Sequence, residues 1–120
     1  MRYPNLILVV VLFLSACNQK PESSESLQGR LAAAVAISTP GSRNELLSQL
    51  AMDAAHAKDI QVTTNAIESI QNPNLRDSSA QACAEVLSRK GESKGATEVA
   101  RLIRNPNLRE KTVVAIAQGQ

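Results

Sequence analysis

The sequence predicts an all-α fold, a short α-solenoid of about three antiparallel helical hairpins. Three observations favour this fold. Alanine is frequent and runs of β-branched residues are few after residue 16. Apolar residues recur at i, i+3 and i+4, which is the spacing of one helix face. A short pattern also recurs with a 33-residue period, and a fixed period of this size is typical of repeat architectures.

The repeat is clearest in two segments, NPNLRD at 72–77 and NPNLRE at 105–110. One further step of the same period towards the N-terminus reaches TPGSRN at 39–44. Four columns of residues align across the three copies without a gap: Ile37, Ile70 and Ile103; Pro40, Pro73 and Pro106; Arg43, Arg76 and Arg109; Ala51, Ala84 and Ala117. We therefore expect each unit to fold in the same way.

Six helices are expected, at about 28–38, 43–57, 60–71, 75–89, 94–104 and 107–118. The four central helices each carry one apolar face: Leu46, Leu47, Leu50, Ala51, Ala54 and Ala57; Val62, Ala66, Ile67 and Ile70; Leu75, Ala80, Cys83, Ala84 and Leu87; Ala96, Val99, Leu102 and Ile103. The connections between them are short, so neighbouring helices should be antiparallel.

The proline columns mark where helices restart, because proline disrupts a helix interior. Asn74 and Asn107 each precede an acidic residue by three positions, which fits a capping box, and Ser42 has the same relation to Glu45. Alternatively, Asn72 and Asn105 cap these helices and proline takes the first helical position.

The N-terminus carries Arg2 and then an apolar run over 6–14, the pattern of a secretory signal peptide. Nine residues are too few to span a bilayer as a helix, which needs about 20. The expected division is a signal peptide at 1–16, a first mature residue and flexible tether at 17–27, and a helical-repeat domain at 28–118. One small domain fits this length.

Leu14-Ser15-Ala16-Cys17 closely resembles the lipobox of bacterial lipoproteins. The resemblance implies that Cys17 receives a diacylglycerol on its sulfur, that a peptidase cleaves before it, and that its new amino group is acylated, for example with palmitate. The chain would then be anchored to the cell membrane and face the periplasm. Asn18 stands where aspartate favours inner-membrane retention, so the outer membrane is favoured.

Residues 30–118 resemble tetratricopeptide-type and related αα-hairpin repeats. Such repeats have a period of roughly 34 residues, carry small residues where helices cross, and close each unit with a proline. The resemblance implies a right-handed α-solenoid. The large aromatic residues and the Gly-Tyr pattern of tetratricopeptide repeats are absent from this part of the sequence.

Composition argues against several classes of partner. The formal net charge is +2 and falls to about +1 without Arg2, so a nucleic-acid partner is not expected. The only aromatic residues, Tyr3 and Phe13, precede residue 17. Sites that stack bases or sugars on aromatic rings are therefore excluded from the mature chain. We expect no cofactor and no small-molecule substrate.

Enzymatic activity is not expected either. His56 is the only histidine, which is too few for a histidine metal site, and it fits the end of a helix, where the macrodipole favours it. No Ser-His-Asp or Cys-His arrangement is plausible, and the acidic residues are scattered. Cys83 lies among alanines and is expected in the core; the alternative is a disulfide with a partner.

The candidate partner contacts are Arg43, Arg76, Arg109, Val113 and Val114. The arginines would form a basic row on one face of stacked repeats, or each would cap the end of the preceding helix. The valines lie on two apolar stripes of the last helix, about 100° apart, and one stripe is enough to pack inward. The other would contact a second copy or a partner, or would be an ordinary exposed apolar residue.

These features predict a membrane-anchored lipoprotein whose helical-repeat domain is a protein-binding or scaffolding module in the cell envelope. Its partners would be the membrane, through lipid on Cys17, and another envelope protein or a second copy. The alternative is an immunity or exclusion lipoprotein that blocks a toxin or a conjugation machine.

Overall fold

A computed structural model describes residues 23–119, and this part of the chain contains helices and no strand. The six helices are α1 (Ser24–Val35), α2 (Pro40–His56), α3 (Ile60–Ser69), α4 (Pro73–Arg89), α5 (Ser93–Ala100) and α6 (Pro106–Ala117). The prediction of an all-α fold is confirmed. Over the described range, no helix has both the length and the apolar character needed to cross a bilayer.

Three of the helices begin at the prolines of the repeat. Proline suits the first helical position because its missing N–H would have no partner there. Asn72 Oδ1 accepts the N–H of Leu75 at 3.1 Å, and Asn105 Oδ1 accepts that of Leu108 at 3.2 Å. The capping boxes expected at Asn74, Asn107 and Ser42 are therefore wrong, since those residues lie inside the first turn.

The first helix begins earlier than expected. Ser23 caps α1 by accepting the N–H of Ser26 at 3.3 Å, so residues 24–27 belong to a helix and not to the tether. Leu27 is fully buried. Burying a leucine side chain contributes roughly 1.5–3 kcal/mol, which explains why the helix extends this far. Residues 17–22 of the expected tether and the expected signal peptide lie outside the described residues.

The α2–α3 and α4–α5 turns have the same geometry. Lys58 has φ 60°, and Gly91, its equivalent in the next repeat, has φ 82°. The N–H of Asp59 bonds the carbonyl of Ala54, and the equivalent bond joins Glu92 to Leu87, both at 2.9 Å. This left-handed residue after a helix and the long bond across it form a Schellman-type end.

The six helices lie in two layers. Helices α2, α4 and α6 pack in sequence in one layer, which we call the outer layer, and α1, α3 and α5 pack in sequence in the other, the inner layer. The most extensive contacts are those within the two hairpins, α2 with α3 and α4 with α5. The core between the layers contains many alanines with no exposed surface: Ala51, Ala54, Ala55, Ala66, Ala80, Ala84, Ala96 and Ala100. Small side chains let the helices approach closely.

Because Lys58 and Gly91 are equivalent positions with the same left-handed backbone, exchanging their residue types should have opposite effects on stability. A left-handed backbone costs an L-residue about 1–2 kcal/mol and costs glycine nothing comparable. Lys58→Gly should raise the free energy of unfolding by about 0.5–1 kcal/mol, after the greater unfolded-state entropy of glycine is counted. Gly91→Lys should lower it by about 1 kcal/mol, although a side chain there meets open space. Chemical denaturation measures both, and a loss of stability in Lys58→Gly would contradict the assignment.

Candidate interaction surfaces

Two members of the arginine column bond the connection that leads into their own helix. Arg43 Nη1 donates to the carbonyl oxygen of Ile37 at 3.2 Å, and Arg109 Nη1 donates to that of Ile103 at 3.1 Å. Both bonds reach back six positions along the chain, across the proline turn. Ile37 and Ile103 follow the last residues of α1 and α5, so the guanidinium supplies a donor to a carbonyl of the connection, which has no regular pattern of bonds.

The middle arginine departs from this pattern. Arg76 Nη1 donates to the carbonyl of Glu68 at 3.3 Å, and its Nε is buried without a hydrogen-bond partner. Arg43 makes a further bond of 2.6 Å from Nη2 to Oε1 of Gln71. Of these bonds, only the one from Arg76 to Glu68 reaches a carbonyl in the last turn of the preceding helix, as the capping alternative expects. A row that binds an acidic partner stays a prediction for Arg43, Arg76 and Arg109.

A second column of equivalent residues, which the sequence pattern alone does not reveal, joins consecutive helical units, the helix pairs α1–α2, α3–α4 and α5–α6. Asn44 Oδ1 accepts the backbone N–H of Gln71 at 3.1 Å. Asp77, its equivalent in the next repeat, accepts the N–H of Arg104 at 2.8 Å and that of Asn105 at 3.1 Å. We call this arrangement the junction bond. Its signal in the sequence is a residue with an acceptor side chain four positions after each proline.

The next member of the junction column is Glu110 on α6, which is exposed. It lies beside Val114 on one face of that helix. This face borders a groove of about 440 Å³ and comprises Asn107, Glu110, Lys111, Val114, Ala115 and Gln118. We call it the C-terminal face. Val114 is 46% exposed, whereas Val113 is half-buried against the core and Ile116 is buried. Of the two apolar stripes, the one with Val113 and Ile116 packs inward.

A second groove lies at the opposite end of the layers, between α1 and α2. We call it the N-terminal groove; its volume is about 390 Å³ and its lining residues are Arg30, Ala33, Ala34, Ile37, Leu46 and Leu50. Leu46 is 43% exposed, and Leu50 at the groove floor is buried. Arg30 forms an ion pair with Asp53 at 2.9 Å along its edge. The lining is therefore apolar with one charged residue at the edge.

The prediction that Cys83 lies in the core is confirmed, because its side chain has no exposed surface. Burial raises the pKa of its thiol to about 12, so the reactive thiolate is scarce at neutral pH. His56 is the exposed last residue of α2, as expected. Within residues 23–119, no group of three or more His, Cys, Asp or Glu side chains could hold a metal ion. Cys17 lies outside the described residues.

No protein-family model, curated protein or solved structure matches the chain significantly.

The arginine bonds predict a stability effect. Arg109→Ala removes the donor to the Ile103 carbonyl and should lower the free energy of unfolding by about 1 kcal/mol. Arg104→Ala is the matched control, because its side chain is exposed like that of Arg109 but forms no hydrogen bond with residues 23–119, and it should change stability by less than about 0.5 kcal/mol. Chemical denaturation followed by circular dichroism measures both. Equal stability of Arg109→Ala and the native protein would show that the carbonyl bond contributes nothing.

Proposed function

We propose that this protein is a bacterial lipoprotein, anchored to the cell membrane through lipid on Cys17 and facing the periplasm, with the outer membrane favoured. Its helical-repeat domain acts as a protein-binding or scaffolding module of the cell envelope. The observation that carries the anchoring is Leu14-Ser15-Ala16-Cys17 at the end of a short apolar run that follows Arg2. Two or three acyl chains on one cysteine anchor a protein stably, whereas one chain gives only marginal binding.

We propose that the domain is a right-handed α-solenoid with a 33-residue period. Several features that recur at this spacing support it. The outer helices begin at Pro40, Pro73 and Pro106. The hairpin turns share their left-handed residue and their long hydrogen bond. The junction bond of Asn44 recurs at Asp77. The packing of α2 on α4 and of α4 on α6 repeats one contact along the layer.

A binding role is supported by the two ends of this stack. In a solenoid, each unit contacts only its neighbours, so the terminal units present surfaces that are covered elsewhere. The N-terminal groove and the C-terminal face are such surfaces, and each carries one large exposed apolar side chain, Leu46 and Val114. Exposed apolar surface bordered by polar residues is characteristic of interaction sites.

The anchoring is tested by metabolic labelling with a radioactive fatty acid in a bacterial host. The native chain should take up label and sediment with membranes, and Cys17→Ser should take up none, because the acceptor sulfur is gone. Cys83→Ala is the matched control, since it removes the other cysteine of the chain and should leave labelling unchanged. Label retained in Cys17→Ser, or lost in Cys83→Ala, would refute lipidation at Cys17.

A further inference from the structure

The N-terminal groove consists of positions that are buried in the later units. Leu46 is exposed, whereas the equivalent residues of the next two units, Ser79 and Thr112, are 5% and 3% exposed. The same holds for the inner layer: Gly29 and Ala33 are exposed, but their equivalents are all buried, namely Val62, Gly95, Ala66 and Val99. In the later units these positions are covered by the preceding unit. The first unit therefore presents a surface shaped to receive a helix like α2 or α4.

Gly29 shows how the inner layer would be covered. At the equivalent Gly95, a Cβ would overlap Cδ1 and Cγ1 of Ile60, because α3 lies against α5 there. At Gly29, a Cβ would meet no atom within 4 Å. Ile60 occupies the space beside Gly95. No described residue occupies the equivalent space beside Gly29.

The C-terminal face consists of positions that hold the following unit elsewhere in the chain. Glu110 is equivalent to Asn44 and Asp77, the two acceptors of the junction bonds. Val114 is equivalent to Ser48, whose Oγ lies 2.7 Å from Oγ of Ser79 on the next outer helix. In α6 these positions have no following unit among the described residues.

We propose that the C-terminal face of one copy binds the N-terminal groove of a second copy, so that the stack of helices continues from molecule to molecule. The inference rests on the 33-residue solenoid proposed above. Helix α1 of the second copy takes the place after α6 that α3 takes after α2. The interface is thus a continuation of the contacts that join α2 to α4 and α4 to α6.

The repeat register fixes which residues meet. In the first junction Ser48 contacts Ser79, so in the intermolecular junction Val114 meets Leu46 of the second copy. These are two of the three large apolar side chains that are exposed in residues 23–119. Glu110 then lies where its carboxylate accepts the N–H groups of Ser38 and Thr39 of the second copy, as Asp77 accepts those of Arg104 and Asn105.

The third exposed apolar residue, Val35, is placed differently. Its equivalents, Glu68 and Arg101, are exposed in both later units, so this position faces solvent along the whole stack.

The contact between copies joins two different surfaces and is therefore heterologous. Such contacts do not close into a dimer unless a rotation brings the ends together, and they generate open chains or rings. Each copy carries both surfaces. The C-terminal face of one copy covers the N-terminal groove of the next, so a copy can bind one neighbour at each end.

The test is oxidative cross-linking of the full chain in bacterial membranes. The double variant Leu46→Cys with Val114→Cys should form a ladder of dimers, trimers and higher species that disappears on reduction. Both substitutions lie at exposed positions, and circular dichroism of the purified protein verifies that helicity is kept. The pair Ser48→Cys with Ser79→Cys is the positive control, because it should close a disulfide within one chain.

The matched control is Val35→Cys with Val114→Cys, which has equally exposed residues outside the proposed register and should give no ladder. Absence of a ladder from the Leu46–Val114 pair, or an equal ladder from the Val35–Val114 pair, overturns the inference. A dimer from Val114→Cys alone indicates a tail-to-tail contact and overturns it as well, as does an adduct with a different protein in place of the ladder. Membrane sedimentation of the same samples reports anchoring separately, so loss of anchoring with an intact ladder contradicts only the proposed function.

Discussion

The junction bond connects each helical unit to the start of the outer helix in the next one. Asp77, in the second turn of α4, accepts two backbone N–H groups just before Pro106, and Asn44 accepts one before Pro73. Backbone N–H groups in a turn between helices need partners, because the turn offers no regular pattern of bonds. Each unit therefore fixes the start of the next outer helix. At Asp77, the negative charge also lies near the positive end of the α6 dipole.

The core of the domain combines alanine with leucine, isoleucine and valine. Within residues 23–119, eight alanines have no exposed surface, and Gly95 admits the side chain of Ile60 where α3 meets α5. Leucine, isoleucine and valine fill the remaining space, and no aromatic side chain occurs after Phe13. Where a helix lacks a neighbour on one side among the described residues, apolar side chains such as Leu46 and Val114 are exposed.

The helices and their order follow from the sequence because apolar periodicity and the proline column carry that information directly. The first residue of each helix is harder to predict from the sequence. The choice between Asn72 and Asn74 as cap depends on whether proline occupies the first turn or precedes it, and both arrangements are chemically reasonable. The early start of α1 depends on the burial of Leu27 by other helices, which is a tertiary effect. The surface bonds of the arginine column likewise depend on where each turn directs the side chain. The sequence pattern assigns Asp77 and Glu110 to capping boxes, and it does not reveal the junction column because Asn44, Asp77 and Glu110 are three different amino acids that share only an acceptor oxygen.

The most direct test of this account is amide hydrogen exchange at Arg104 and Asn105. Asp77→Ala should lower the protection of both amides about tenfold, since a hydrogen bond to a charged group contributes about 1.5 kcal/mol. Asp77→Asn should keep most of the protection, because Asn44 performs the same role with an amide oxygen. Glu85→Ala, an exposed acid on the same helix, should change neither amide. If Asp77→Ala leaves both amides as protected as in the native protein, the junction bond does not hold the units together and the account is contradicted.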